Sequence, residues 1–223
     1  MKRVLITGAN GIIGRILSKR LEEYELTLID FFEVDVRRYN RLERLINRLG
    51  SYDAIIHLAW NTKTENHLSE KADPDNLLMA ENVYQIALVK DIPRVVMASS
   101  IHADDFRNPK RNPLSPTDLP RPQSAYGRSK VEMETTGRRY SRYGLEVACI
   151  RFGAVGYGEP PADDEGKLVW LSERDCVGLV KSIIDTTRIP DNFTIVYGVS
   201  GNQKRVHDFS NPFGWKPKDG FKN

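Results

Sequence analysis

Apolar residues along this chain fall into short unbroken runs separated by longer segments of helical period. The runs are RVLITG (3–8), LTLID (26–30), DAIIHLA (53–59), RVVMASS (94–100) and LEVACIRF (145–152). Short, nearly continuous apolar runs predict strands buried on both faces of a parallel sheet. Between them lie 11–23, 40–49, 74–90 and 124–143, which predict helices. In 40–49, apolar residues at 42, 45, 46 and 49 form one helical stripe. Pro74 suits a first helical turn, and Ser124 opens the next helix. Residues 101–122 hold five prolines and no period, so they predict a loop.

Strands separated by helices of this length predict an α/β chain, a Rossmann-type doubly wound parallel sheet with helices on both faces. After Phe152 the pattern changes. It is loop-rich to about 168, then predicts a helix near 173–186 and a short strand FTIVYG (193–198). The expected division is a nucleotide-type core, 1–152, and a small C-terminal substrate-binding cap, 153–223.

Composition narrows this picture little. With 40% hydrophobic and 28% charged residues, the 223-residue chain has apolar material for one sizeable core. A formal charge of +3 from 33 basic and 30 acidic residues gives no concentrated basic face, so nucleic acid is not the expected partner. No apolar run approaches the ~18 residues of a membrane span, and MKRVLITGAN lacks a leader-like apolar region. The expected location is the cytoplasm. Cys149 and Cys176 lack metal-ligand spacing, and Cys149 lies in an apolar run as a buried thiol.

The chemistry begins at TGANGIIG (7–14), between the first strand and the first helix. Gly8 permits a tight turn, Gly11 lets backbone approach a pyrophosphate, and Gly14 lets helix pack on sheet. The phosphates would meet the free N–H groups of the helix N-terminus. Asp30 ends the second strand, where an acid accepts both ribose hydroxyls and repels a 2′-phosphate. Phe31 and Phe32 follow it, with no immediate arginine, which favours NAD over NADP. In VDV (34–36), Asp35 is placed to reach an adenine amino group.

TGANGIIG, HLAW (57–60), VVMASS (95–100) and SAYGRSK (124–130), in this order, resemble the extended short-chain dehydrogenase/reductase superfamily, the NAD-dependent epimerase/dehydratase family. ASSIHADDF, VWLSERD (169–175), IVYG (195–198) and GWKPKD (214–219) resemble its uronate dehydrogenases. The resemblance implies that Tyr126 is the general base on a substrate hydroxyl. A free tyrosine has a pKa of ~10, and Lys130, one turn along, would favour its phenolate and hold the nicotinamide ribose. Ser100 would orient the substrate oxygen, and Asn76 would support the lysine through water. Asn10, Ile12, Ile13, Val36, Leu58, Ala59 and Trp60 would join the cofactor site, with Phe152 packed on the nicotinamide. Thr62, His102 and Val155 would line the substrate side. A homodimer through helices 74–90 and 124–143 is implied as well.

The chain departs from that subgroup at two positions. Where an arginine is expected to hold a sugar carboxylate stands Glu165, with Lys167 two residues later as the remaining candidate. An asparagine expected after the second serine of ASS is Ile101. A neutral aldose, or a phosphorylated one held by Arg107, Lys110, Arg111 or Arg128, therefore stays open beside a uronate. The first functional expectation is a dehydrogenase oxidising a sugar, at C1 to a lactone, with NAD. Its alternative is a nucleotide-sugar epimerase or dehydratase that keeps NAD bound. A non-catalytic redox sensor would want the Tyr126–Lys130 pair missing, and both residues are present.

Overall fold

In a computed structural model, residues 1–62, 71–156, 158 and 161–221 are described. Strands β1 (Arg3–Thr7), β2 (Glu25–Ile29), β3 (Ala54–His57), β4 (Arg94–Ser100) and β5 (Glu146–Phe152) alternate with helices α1 (Ile12–Arg20), α2 (Tyr39–Leu49), α3 (Pro74–Val89) and α4 (Ala125–Ser141). Then come the two-residue strand β6 (Ala154–Val155), the short helix α5 (Asp164–Val169), β7 (Trp170–Leu171), α6 (Glu173–Asp185) and β8 (Phe193–Gly198). The loop after β4 opens with a 3-10 turn at Ile101–Ala103.

Six strands form one parallel sheet in the order β2-β1-β3-β4-β5-β8. Period-two alternation explains its two cores. Leu5, Ile55, Val95 and Val147 face the layer holding α2, α3 and α4. Val4, Ile6, Ile56, Val96 and Ala148 face α1 and α6. Helices start where side chains take up otherwise unpaired N–H groups. Asp73 accepts from Asp75 N, Ser124 from Gly127 N and Ser172 from Asp175 N. The first helix differs, because its N-cap Gly11 offers no side chain.

The predicted boundary after Phe152 cuts through this sheet. β8 pairs with β5 from Val147↔Phe193 to Phe152↔Gly198, and α6 packs into the core beside β1 and β5. Of the segment expected as a cap, β6, α5 and β7 are the parts outside the main sheet and its flanking helices. The stretch predicted as loop before residue 168 thus carries β6 and α5, too short for periodicity to reveal.

Candidate active site

The strand order reverses between β1 and β3, which leaves a crevice at their C-terminal ends, where sheets of this kind bind ligands. The glycine turn lines it. Gly8 has φ +72°, and a Cβ there would stand 2.5 Å from Ala59 N, so turn and neighbouring loop touch backbone to backbone. A Cβ on Gly14 would come 2.4 Å from Gly8 O, whereas Gly11 faces more open space. The resulting cleft of about 630 Å³ is lined by Gly8, Asn10, Gly11, Asp30, Asp35, Val36, Leu58, Ala59 and Trp60, all expected from the sequence, and by Phe31, Arg37, Asp75 and Met79 among others.

These residues fit NAD. The uncapped start of α1 presents free N–H groups to a pyrophosphate. Asp30 stands at the rim with its carboxylate held by Asn10 N (2.9 Å) and Phe31 N (2.7 Å). Asp35 lines the cleft, but Arg37 occupies both its oxygens (2.9 Å each) and holds its carboxyl below the usual range. Arg37 also reaches Asp75 at 2.7 Å. An adenine reaching Asp35 would meet this ion pair rather than a free carboxylate.

A second cavity of about 420 Å³ adjoins the first, sharing Leu58 and Trp60. It gathers Ser100, Tyr126 and Lys130 of the expected catalytic residues, Thr62 and His102 of the substrate-side ones, and Ile13 and Phe152 of those expected at the cofactor. Tyr126 and Ser100 line it together, and Ser100 Oγ accepts from His102 N at 3.2 Å. The His102 ring stands edge-on to Tyr126 with centroids 5.9 Å apart. Lys130 Nζ donates to Ala98 O at 2.7 Å and lies 3.4 Å from the centre of the Trp60 ring.

Burial sets the electrostatics. It pushes the Lys130 ammonium down to about 7, opposed by Glu134 one turn further along α4. It pushes the Tyr126 phenol up, with the Ser100 hydrogen bond opposing. The expected lowering of Tyr126 by Lys130 does not appear in this state, where burial governs the phenol. The lysine is turned toward Ala98 and Trp60, 5.6 Å from the phenol ring centre. His57, bonded through Nδ1 to Thr7 Oγ1 at 2.7 Å, is held neutral, its pKa pulled down to about 3 by desolvation.

Five expected site residues line neither cavity, among them Gly14, which packs against the Gly8 and Ala9 backbone. Lys167 pairs with Asp164 at 3.3 Å and lines a neighbouring cavity with Arg107, Lys204 and Phe221, which shares Glu165 with the substrate-side one. Val155 pairs with Leu171 and packs into the core, since neighbouring strand residues face opposite ways and Ala154 takes the cavity side. Asn76 Oδ1 accepts from Asn61 N at 2.6 Å, fixing the loop after Trp60 instead of the lysine. Ile12 stands half exposed at the start of α1. The sequence reading also missed a charge network below the site. Buried Arg151 donates to Glu134 at 2.9 and 2.7 Å and to Asp104, while Ser99 and Tyr197 donate to Glu134 and Asp104. Arginine in an apolar strand was its one available sign.

The NAD dependent epimerase/dehydratase family model matches residues 4–176. This chain belongs to that family. The NAD-dependent glucose-6-phosphate dehydrogenase of Haloferax volcanii is 28% identical, over 97% of this chain and 93% of that one. The uronate dehydrogenase of Agrobacterium fabrum is 30% identical, over 98% and 85%. A mutant uronate dehydrogenase from Agrobacterium tumefaciens, solved with NAD, superposes with TM-score 0.83 at 29% identity, covering 99% of this chain and 86% of that one. As a member of the family with a fitting cleft, the chain is an NAD-dependent oxidoreductase.

Proposed function

We propose that the chain oxidises a sugar, removing hydrogen from C1 and its hydroxyl to give a lactone, with Tyr126 as general base. The observation that carries this reading is that Ser100, Tyr126 and Lys130 line one small cavity, which adjoins the dinucleotide cleft at Leu58 and Trp60. Bound NAD supplies the hydride acceptor. Ser100 positions the sugar hydroxyl at the phenol oxygen. Tyr126 takes the hydroxyl proton as the C1–H bond breaks, and Lys130 holds positive charge near the forming phenolate. Leu58 and Trp60 form apolar walls where the two cavities meet, and Phe152 and Ile13 continue them into the smaller one, limiting water there.

Purified protein with NAD and a sugar panel tests this by absorbance at 340 nm. A rise with at least one sugar, lost in Tyr126→Phe, is expected; no rise with any sugar refutes the reading. The alternative, a nucleotide-sugar epimerase that retains its cofactor, predicts no net NADH. Solved UDP-galactose and UDP-glucose 4-epimerases are like this chain at 18–19% identity, a likeness of fold alone. Gly153, Ala154, Asp163, Glu165, Gly166 and Val169 border the cavity and serve as its substrate-side cap in this reading.

A homodimer through α3 and α4 accompanies the proposal. Leu78 and Val89 of α3 are 45% and 55% exposed, apolar surface that a partner copy would cover. Elution at the 25.4 kDa monomer mass would refute it. We further place the protein in the cytoplasm; fractionation of cells expressing the tagged chain checks that, and recovery with membranes or medium would count against it. Among the described residues no helix is long and apolar enough to cross a membrane.

A further inference from the structure

Charge is unevenly distributed around the substrate cavity. Its wall farthest along the chain is the start of α5, where Asp163 and Glu165 face in. Asp163 caps its own helix, Oδ1 accepting from Gly166 N at 2.6 Å. Glu165 reaches across to the loop after β4. Arg107 Nε donates to its Oε2 at 2.8 Å, and a second nitrogen of the guanidinium donates to Oε1. The same guanidinium lies 4.8 Å from the centre of the Phe106 ring, which also borders the cavity. Among the described lining residues, the one lysine or arginine is Lys130, which lies against Trp60, the residue shared with the dinucleotide cleft.

A sugar bearing a carboxylate or phosphate would bring its charge toward the Asp163 carboxylate and find no unpaired cation on that wall among the described lining residues. Arg107, which reaches that wall from the loop after β4, is already neutralised by Glu165. An uncharged sugar meets no such opposition, since carboxylates accept hydroxyl protons and a guanidinium donates to ring and hydroxyl oxygens. We propose that the Glu165–Arg107 pair is a specificity element that selects an uncharged aldose, Glu165 accepting from hydroxyls remote from the reacting carbon. This rests on the sugar-dehydrogenase reading.

The test is kcat/KM with saturating NAD for arabinose, galactose and glucose against glucuronate, galacturonate and glucose 6-phosphate. It is run in wild type and in Glu165→Arg, with the NAD Kd of each measured by fluorescence quenching. The expected wild type prefers its best neutral aldose over every anionic sugar by at least about ten-fold, equivalent to ~1.4 kcal/mol. In Glu165→Arg, a half-exposed position, the hexuronate-to-aldose ratio rises at least about ten-fold with NAD Kd unchanged. A wild type that oxidises a hexuronate or glucose 6-phosphate as well as any neutral aldose overturns the proposal and leaves the sugar-dehydrogenase reading standing. A ratio unmoved by Glu165→Arg also overturns it. Oxidation of no sugar despite NAD binding removes that reading, and the proposal falls with it.

Discussion

Replacing Glu134 with Ala would take away one of the two carboxylates that hold a buried guanidinium. The Arg151 side chain is 1% exposed, Glu134 4% and Asp104 3%, so water cannot substitute for the lost partner. Three hydrogen bonds end on Glu134, from Arg151 Nε, Arg151 Nη2 and Ser99 Oγ, and all disappear. Arg151 is left with Asp104 and the Tyr197 hydroxyl, and removing one partner of a buried pair costs about 3–5 kcal/mol. At about 2–4 °C per kcal/mol for a chain of this size, the melting temperature should fall by roughly 10 °C. Urea unfolding followed by circular dichroism and by tryptophan fluorescence measures the loss and checks two-state behaviour. Arg139→Ala, which breaks the exposed pair with Glu81, serves as control and should cost under about 1 kcal/mol. Adding Arg151→Met to Glu134→Ala should recover part of the loss, because no lone charge then remains. A Glu134→Ala cost below about 1 kcal/mol would refute the assignment of a tightly buried network. Ser99 precedes Ser100 and Asp104 follows His102, so turnover should drop in the same variant beyond what unfolding explains.

Tyr126→Phe should lower kcat by about 10²–10⁴-fold while the NAD Kd, read by quenching, stays within about two-fold; retained turnover would disqualify Tyr126 as base. Gly8→Ala puts a Cβ 2.5 Å from Ala59 N at φ +72°, so stability should fall by about 1–3 kcal/mol and NAD affinity with it, both visible in thermal shift with and without cofactor. Asp30→Ala should weaken NAD by roughly ten-fold, the loss of ~1.5 kcal/mol of charge-assisted hydrogen bonding, and leave NADP no weaker; equal losses for both cofactors would contradict its role. Lys130 has a folded pKa of about 7 against 10.5 in the free side chain, so the unfolded chain binds more protons between those values. Wild-type stability should therefore rise with pH across that window relative to Lys130→Met. Parallel pH curves would show that the ammonium is solvated.

Much of the candidate site was legible because its parts are local. The glycine turn, the Asp30 strand end and the Tyr126–Lys130 spacing are each set within a few residues of backbone geometry, and each lines the cavity where the sequence put it. The misplacements are local too, but they turn on orientation. Lys167 stands two residues from Glu165, about 200° around helix α5, and of the two only Glu165 lines the substrate-side cavity. Val155 fails by the two-residue alternation of β6. Trp60 was placed at the cofactor, yet its indole face over Lys130 required the loops after β3 and the helix α4 to be brought together.

By itself the sequence determined the alternation of strands and helices, the parallel sheet that follows from it, and the dinucleotide turn, since hydrophobic period and glycine conformation act at short range. Only the tertiary structure decided which charges are neutralised. Arg151 meets Glu134 from 17 residues away and Asp104 from 47, Tyr197 reaches Asp104 across 93, and Arg107 reaches Glu165 across 58. It also decided that β8 closes the sheet beside β5 instead of standing in a separate cap. The physical reason is common to these cases. A charge in an apolar strand states that a partner must exist but not where, and an exposed strand edge states that something must cover it but not what.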